Sequence, residues 1–127
     1  MKNQSLKLGK IKEEILSAFN LSLTMDKSLY IDTKMLDSLA SRYPTSYLKI
    51  IERLSYIVKS PTYVGFDDEV GVLAYYEPYC HQGLGFLCYR FRLLGRPRKW
   101  SLVSLLKENH PSGAIIELEK RKKPRKG

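Results

Sequence analysis

The sequence predicts an α+β fold, with N-terminal helices packed on one face of a four- to five-stranded, mainly antiparallel sheet. Three observations predict it. Apolar residues recur every three or four positions up to residue 58 and every second position after residue 62. The second half is cut by short turn-forming runs, "DDEVG", "PYCHQG", "GRPRK" and "KENHPSG", each brief enough to join antiparallel neighbours. The chain has 127 residues, 43% hydrophobic and 28% charged, which suits one compact domain with a modest core.

The helical half opens at residues 8–20, where Ile11, Ile15, Leu16 and Phe19 keep a helical spacing. "NLSLTMDKSLYIDT" breaks that period and leaves room for short extended pieces around 21–24 and 28–31. Thr33 is placed to cap a helix carrying Met35, Leu36, Leu39 and Ala40. Pro44 interrupts it and suits the first position of another. There Tyr47, Ile50, Ile51, Leu54, Ile57 and Val58 share one face, with Lys49, Arg53 and Tyr56 on the stripe beside it.

The strand half predicts "TYVGF" (62–66), "VGVLAYYE" (70–77), "LGFLCYRFRLL" (84–94), "WSLVSLL" (100–106) and "AIIEL" (114–118). In the third of these, Leu87, Tyr89, Phe91 and Leu93 face one way, and Phe86, Cys88, Arg90 and Arg92 the other. In the fourth, uninterrupted alternation puts Ser104 on the side of Trp100 and Ser101 on the opposite side.

Charge and cysteine usage narrow the function classes. The net charge is +9, and the last eight residues, "KRKKPRKG", carry six of the 22 cations and no acid. Residues 1–119 hold the other 16 against all 13 acids, so they read as a mildly basic domain and 120–127 as a basic disordered tail. Such a tail grips a polyanion through counterion release, or simply keeps the chain soluble. No segment approaches the roughly 20 apolar residues of a membrane span, and the N-terminus lacks a secretion signal. Two cysteines make no disulfide framework, which predicts a reducing cytoplasm. No metal or cofactor is expected. Cys80, His81, Cys88 and His110 match no zinc spacing, and no phosphate-binding loop, dinucleotide glycine motif or nucleophile elbow occurs.

The residues with chemistry to offer are cations beside aromatics. Arg90 and Arg92, two apart on one strand, project together and suit a phosphate; the same spacing fits two solvated arginines on an exposed face. Arg96, Arg98 and Lys99 follow in the next turn. Nine tyrosines are many for this length, and Tyr75, Tyr76 and Tyr79 flank the loop holding His81, a group that titrates near neutrality. Rings beside cations stack unpaired bases. With the tail cations Lys120, Arg121, Lys122, Lys123, Arg125 and Lys126, these predict contact with RNA or another nucleic acid.

The order of "SRYP", "IVKSPTYVGF", "CYRFRLL" and "KWSLVSLL", over about residues 29–118, resembles the barnase–EndoU–colicin–RelE nuclease superfamily, closest to its phage-associated members of mobile elements. The junction after the second helix is matched by Ile57, Val58, Pro61, Tyr63, Val64 and Gly65, and a Ser or Thr within the final apolar strand by Ser104. The resemblance implies a metal-independent endoribonuclease of toxin or effector type, in which the RNA 2′-hydroxyl attacks the neighbouring phosphate. It implies Ser104, Arg90, Arg92, Tyr43 and Arg53 as the catalytic set, with Ser104 orienting the phosphate and Ser101 facing outward. Related members carry histidines in an "H-x-x-x-x-H-P" segment, where this chain has Ser38 and Tyr43, and tyrosine's pKa of about 10 makes a weak base near neutrality. The alternative is a member that has lost catalysis and binds nucleic acid, or inhibits a host nucleoprotein.

Overall fold

A computed structural model of the chain describes residues 5–21, 27–80, 84–108 and 114–117. The fold is α+β. Its elements, in chain order, are β1 (Ser5–Lys10), α1 (Glu13–Phe19), β2 (Ser28–Asp32), α2 (Thr33–Arg42), α3 (Tyr47–Lys59), β3 (Tyr63–Asp67), β4 (Val72–Cys80), β5 (Leu84–Leu94), β6 (Lys99–Glu108) and β7 (Ala114–Glu117). All seven strands join one sheet in the order β1-β2-β6-β5-β4-β3-β7. Every neighbouring pair is antiparallel except β2 and β6, which run parallel through Leu29↔Trp100 and Tyr30↔Ser101.

Seven strands stand among the described residues, against the four or five expected. β2 falls on the extended piece expected around 28–31, the piece expected around 21–24 lies largely outside the described residues, and β1 was not expected. Residues 8–10, expected to begin a helix, belong instead to β1, with Gly9 and Lys10 paired to Leu29 and Ser28 of β2, and the helix starts at Glu13. The reason is tertiary. Leu8, Leu29 and Ile31 are buried together in the main core, and burial outweighs helix propensity over so few residues.

Capping follows the expected chemistry with shifted residues. Asp32, not Thr33, caps α2, its Oδ1 accepting the Met35 N–H at 2.9 Å. Pro44 sits in a turn three residues before α3 begins. The apolar stripe of α3 behaves as its spacing requires, with Leu54, Ile57 and Val58 buried. Gly9 lets α3 approach β1, because a Cβ there would stand 3.1 Å from Val58 Cγ1. At the β3–β4 turn Gly71 takes φ +69°, and its N–H donates to the Asp67 carbonyl at 2.8 Å.

The main core joins Ile15, Leu39, Leu54, Ile57 and Val58 of the helices to Leu73, Tyr75, Tyr89, Phe91, Trp100 and Leu102 of the sheet. Trp100 packs edge-on against Phe66, ring centroids 6.4 Å apart. A second, smaller cluster lies on the opposite parity of the same strands: Ala74, Tyr76 and Cys88, with Tyr63 and Phe86 against them. Cys88 is buried and in no disulfide among the described residues. Among the described residues no helix is long and apolar enough to cross a membrane.

Candidate nucleic-acid interface

The candidate surface is shaped by one irregularity. Along β5–β6 the pairs run Leu94↔Lys99, Leu93↔Trp100, Arg92↔Ser101 and Phe91↔Leu102, and then the register shifts to Arg90↔Ser104. Val103 is the extra residue of a β-bulge. Beyond it the facing of β6 is reversed relative to simple alternation. Ser104 therefore shares a face with Ser101, Arg90 and Arg92, not with Trp100 as the sequence spacing predicts.

This face is the one turned away from the main core. Tyr89 and Phe91, which alternate with Arg90 and Arg92, belong to that core. Arg90 is half-buried and Arg92 exposed, and neither has a hydrogen bond or ion pair among the described residues. Residues two apart on a strand stand about 6.6 Å from each other, a spacing at which both guanidinium groups reach one sugar–phosphate segment. Across β6, Ser104 is half-buried. Ser101, expected to face outward, is 6% exposed, with its Oγ donating to the Lys99 carbonyl at 3.1 Å.

The cationic surface continues across the neighbouring strands. Lys99 shares the face of Ser101, and its Nζ stands 4.8 Å from the centroid of the Tyr30 ring on β2. Lys7 of β1 pairs with Tyr30 and is exposed. Arg96 and Arg98 are exposed in the turn between β5 and β6. Of the acids, Asp67 and Glu117 stand on β3 and β7, two strands or more from Arg90, and Glu108 pairs with Phe86 toward the far end of β6.

The other two residues of the expected catalytic set lie elsewhere. Tyr43, at the end of α2, packs against the main core, with the Arg42 guanidinium 5.4 Å from its ring centroid. Arg53 of α3 binds Glu77 of β4, and the Tyr89 hydroxyl donates to the second oxygen of the same carboxylate at 3.3 Å. Tyr89 belongs to the main core and Glu77 has the strand parity of the buried Tyr75, opposite to that of Arg90 and Arg92, so Arg53 and Tyr43 do not meet Arg90, Arg92 and Ser104. Arg53 also sits 5.0 Å from the centroid of the Tyr56 ring. Its bond to Glu77 raises its pKa above the ordinary arginine value. Burial raises the Tyr89 phenol well above the usual tyrosine value, and the Glu77 charge adds to it.

This ion pair lines a groove of about 1010 Å³ shared with Lys12, Lys59 and Tyr56. Sequence reasoning missed Glu77. Its signal was present: it is the single acid between Glu69 and Glu108. The Tyr79 side chain, His81, Lys120, Arg121, Lys122, Lys123, Arg125 and Lys126 lie outside the described residues. No group of three or more His, Cys, Asp or Glu side chains suited to a metal occurs among the described residues. No protein-family model, curated protein or solved structure matches the chain.

Proposed function

We propose that this chain binds RNA on the sheet face bearing Arg90, Arg92, Lys99, Ser101 and Ser104, with the helices backing the opposite face. One observation carries the reading: the bulge at Val103 aligns both serines with two guanidinium groups that have no hydrogen bond or ion pair among the described residues. Unpaired arginines on a strand face gain from a phosphate what they lack from the protein, namely a charge-assisted acceptor. The surplus of 22 basic over 13 acidic groups supports a polyanionic partner. A reducing cytoplasm is the compartment this reading implies.

A second reading is metal-independent cleavage of RNA, in the manner of a mobile-element toxin or effector. It is favoured by the Arg90↔Ser104 pairing, which sets a hydroxyl and a guanidinium side by side where a phosphorane could be held. It is weakened by the separation of Arg53 and Tyr43 from that pair, since cleavage also needs a base and an acid within reach of the phosphate. Incubation of the purified chain with end-labelled structured RNA, in chelator and without, separates the two. Binding alone leaves intact RNA of reduced mobility. Cleavage yields 2′,3′-cyclic phosphate ends in chelator, lost in Ser104→Ala and Arg90→Ala. RNA that neither shifts nor is cut at low salt overturns both.

A further inference from the structure

On the same sheet face, next to the arginines, Phe86, Tyr76 and Tyr63 form a row across β5, β4 and β3. Tyr63 pairs with Tyr76 and Pro78 with Phe86, so the three residues are cross-strand or diagonal neighbours on one side of the sheet. Phe86 stands edge-on to both partners, with centroids 5.7 Å from Tyr63 at 88° and 6.3 Å from Tyr76 at 89°. Tyr76 is 4% exposed and anchors the row, whereas Tyr63 and Phe86 are half-buried.

We infer that this row is a base-stacking platform continuous with the arginines, and that the nucleic acid taken by this face is therefore unpaired. The inference rests on the RNA-binding reading above and deepens it by naming the class of RNA. Four facts support it. Phe86, Cys88 and Arg90 alternate along β5, so rings and cations share one surface. Four residues of strand separate Phe86 from Arg90 by about 13 Å, so a strand can lay phosphates on Arg90 and Arg92 while a neighbouring base reaches the rings. On β5 only the short Cys88 side chain stands between Phe86 and Arg90 on this face, and Ala74 lies beside Arg90 in register. Finally, edge-to-face contacts hold the rings in place before binding, which reduces the ordering cost of a stacked complex. A duplex cannot use such a row. Its bases are stacked on one another, and an A-form helix presents sugars and phosphates to a sheet face rather than base planes.

The test titrates the full chain with three fluorescein-labelled probes of equal length: oligoadenylate, an abasic ribose-phosphate oligomer, and oligoadenylate annealed to oligouridylate. The expected order is oligoadenylate tightest, about tenfold or more above the abasic oligomer, with the duplex no better than the abasic strand. Phe86→Leu should abolish the difference between oligoadenylate and abasic oligomer, and its thermal melt reports folding. Tyr63→Leu serves in its place should Phe86→Leu not fold. Equal binding of oligoadenylate and abasic oligomer, weakened for both by Arg90→Ala, overturns the platform and leaves the RNA-binding reading standing. Tightest binding to the duplex also overturns the platform. Absence of binding to all three at low salt overturns both.

Discussion

On the RNA-binding proposal, replacing Arg90 and Arg92 together by alanine should change how affinity for RNA responds to salt. Each phosphate neutralised on a single strand contributes about −0.7 to the slope of log affinity against log salt. Two guanidinium groups that both engage phosphates therefore account for about 1.4 of that slope. Between 50 and 200 mM salt, a fourfold change, the double variant should lose about sevenfold less affinity than the parent. The comparison is clean because neither arginine has a hydrogen bond or ion pair among the described residues. Their removal should cost the fold no more than about 0.5 kcal/mol, as for other surface substitutions. Lys49→Ala serves as the control, since Lys49 is an exposed cation of α3. Fluorescence anisotropy titrations of a labelled oligonucleotide across the salt series give the slopes. Parallel lines for parent and double variant, or an equal flattening in Lys49→Ala, would refute the assignment of this face.

Three further outcomes are expected. Glu77→Ala removes the acceptor of both Arg53 and Tyr89, and because Arg53 is half exposed the loss should be about 1 kcal/mol in urea titrations; an unaltered midpoint would mean that this link does not hold α3 to the sheet. Stability should fall as pH rises above about 10: Tyr75 and Tyr89, both raised by burial, stay protonated in the folded chain where the unfolded chain gives up its protons, at up to about 1.4 kcal/mol per pH unit for each. Tyr75→Phe should lessen that fall while also removing a buried hydroxyl that has no hydrogen-bond partner among the described residues, so it should not destabilise at neutral pH; denaturant midpoints from pH 8 to 11 measure both effects. Gly9→Val should destabilise by about 1–3 kcal/mol, because its side chain enters space held by Val58, and a melting temperature equal to the parent's would show that α3 shifts freely over β1.

The helix period of residues 47–58 and the strand alternation of 84–94 were readable in the sequence, because each repeats long enough to mark one buried side. So were the turns between β3 and β4 and between β5 and β6, and the placing of Arg90 with Arg92 on one face, since strand parity is a local property. The basic surplus was equally plain. Other features depended on partners far along the chain. Residues 8–10 became strand because β2 lay beside them, and β2 found its place by running parallel to β6, seventy residues away in register at Tyr30↔Ser101. Arg53 met Glu77 only when α3 was laid over β4. The bulge at Val103 carries the largest consequence for the site. One unpaired residue reverses which way every later side chain of β6 points, and whether a strand accommodates it is settled by the strand alongside. Composition and parity thus supplied the cations and their strand. Only the folded sheet decided that Ser104 stands with them, because hydrogen-bond register between distant segments is a property of their pairing and of neither segment alone.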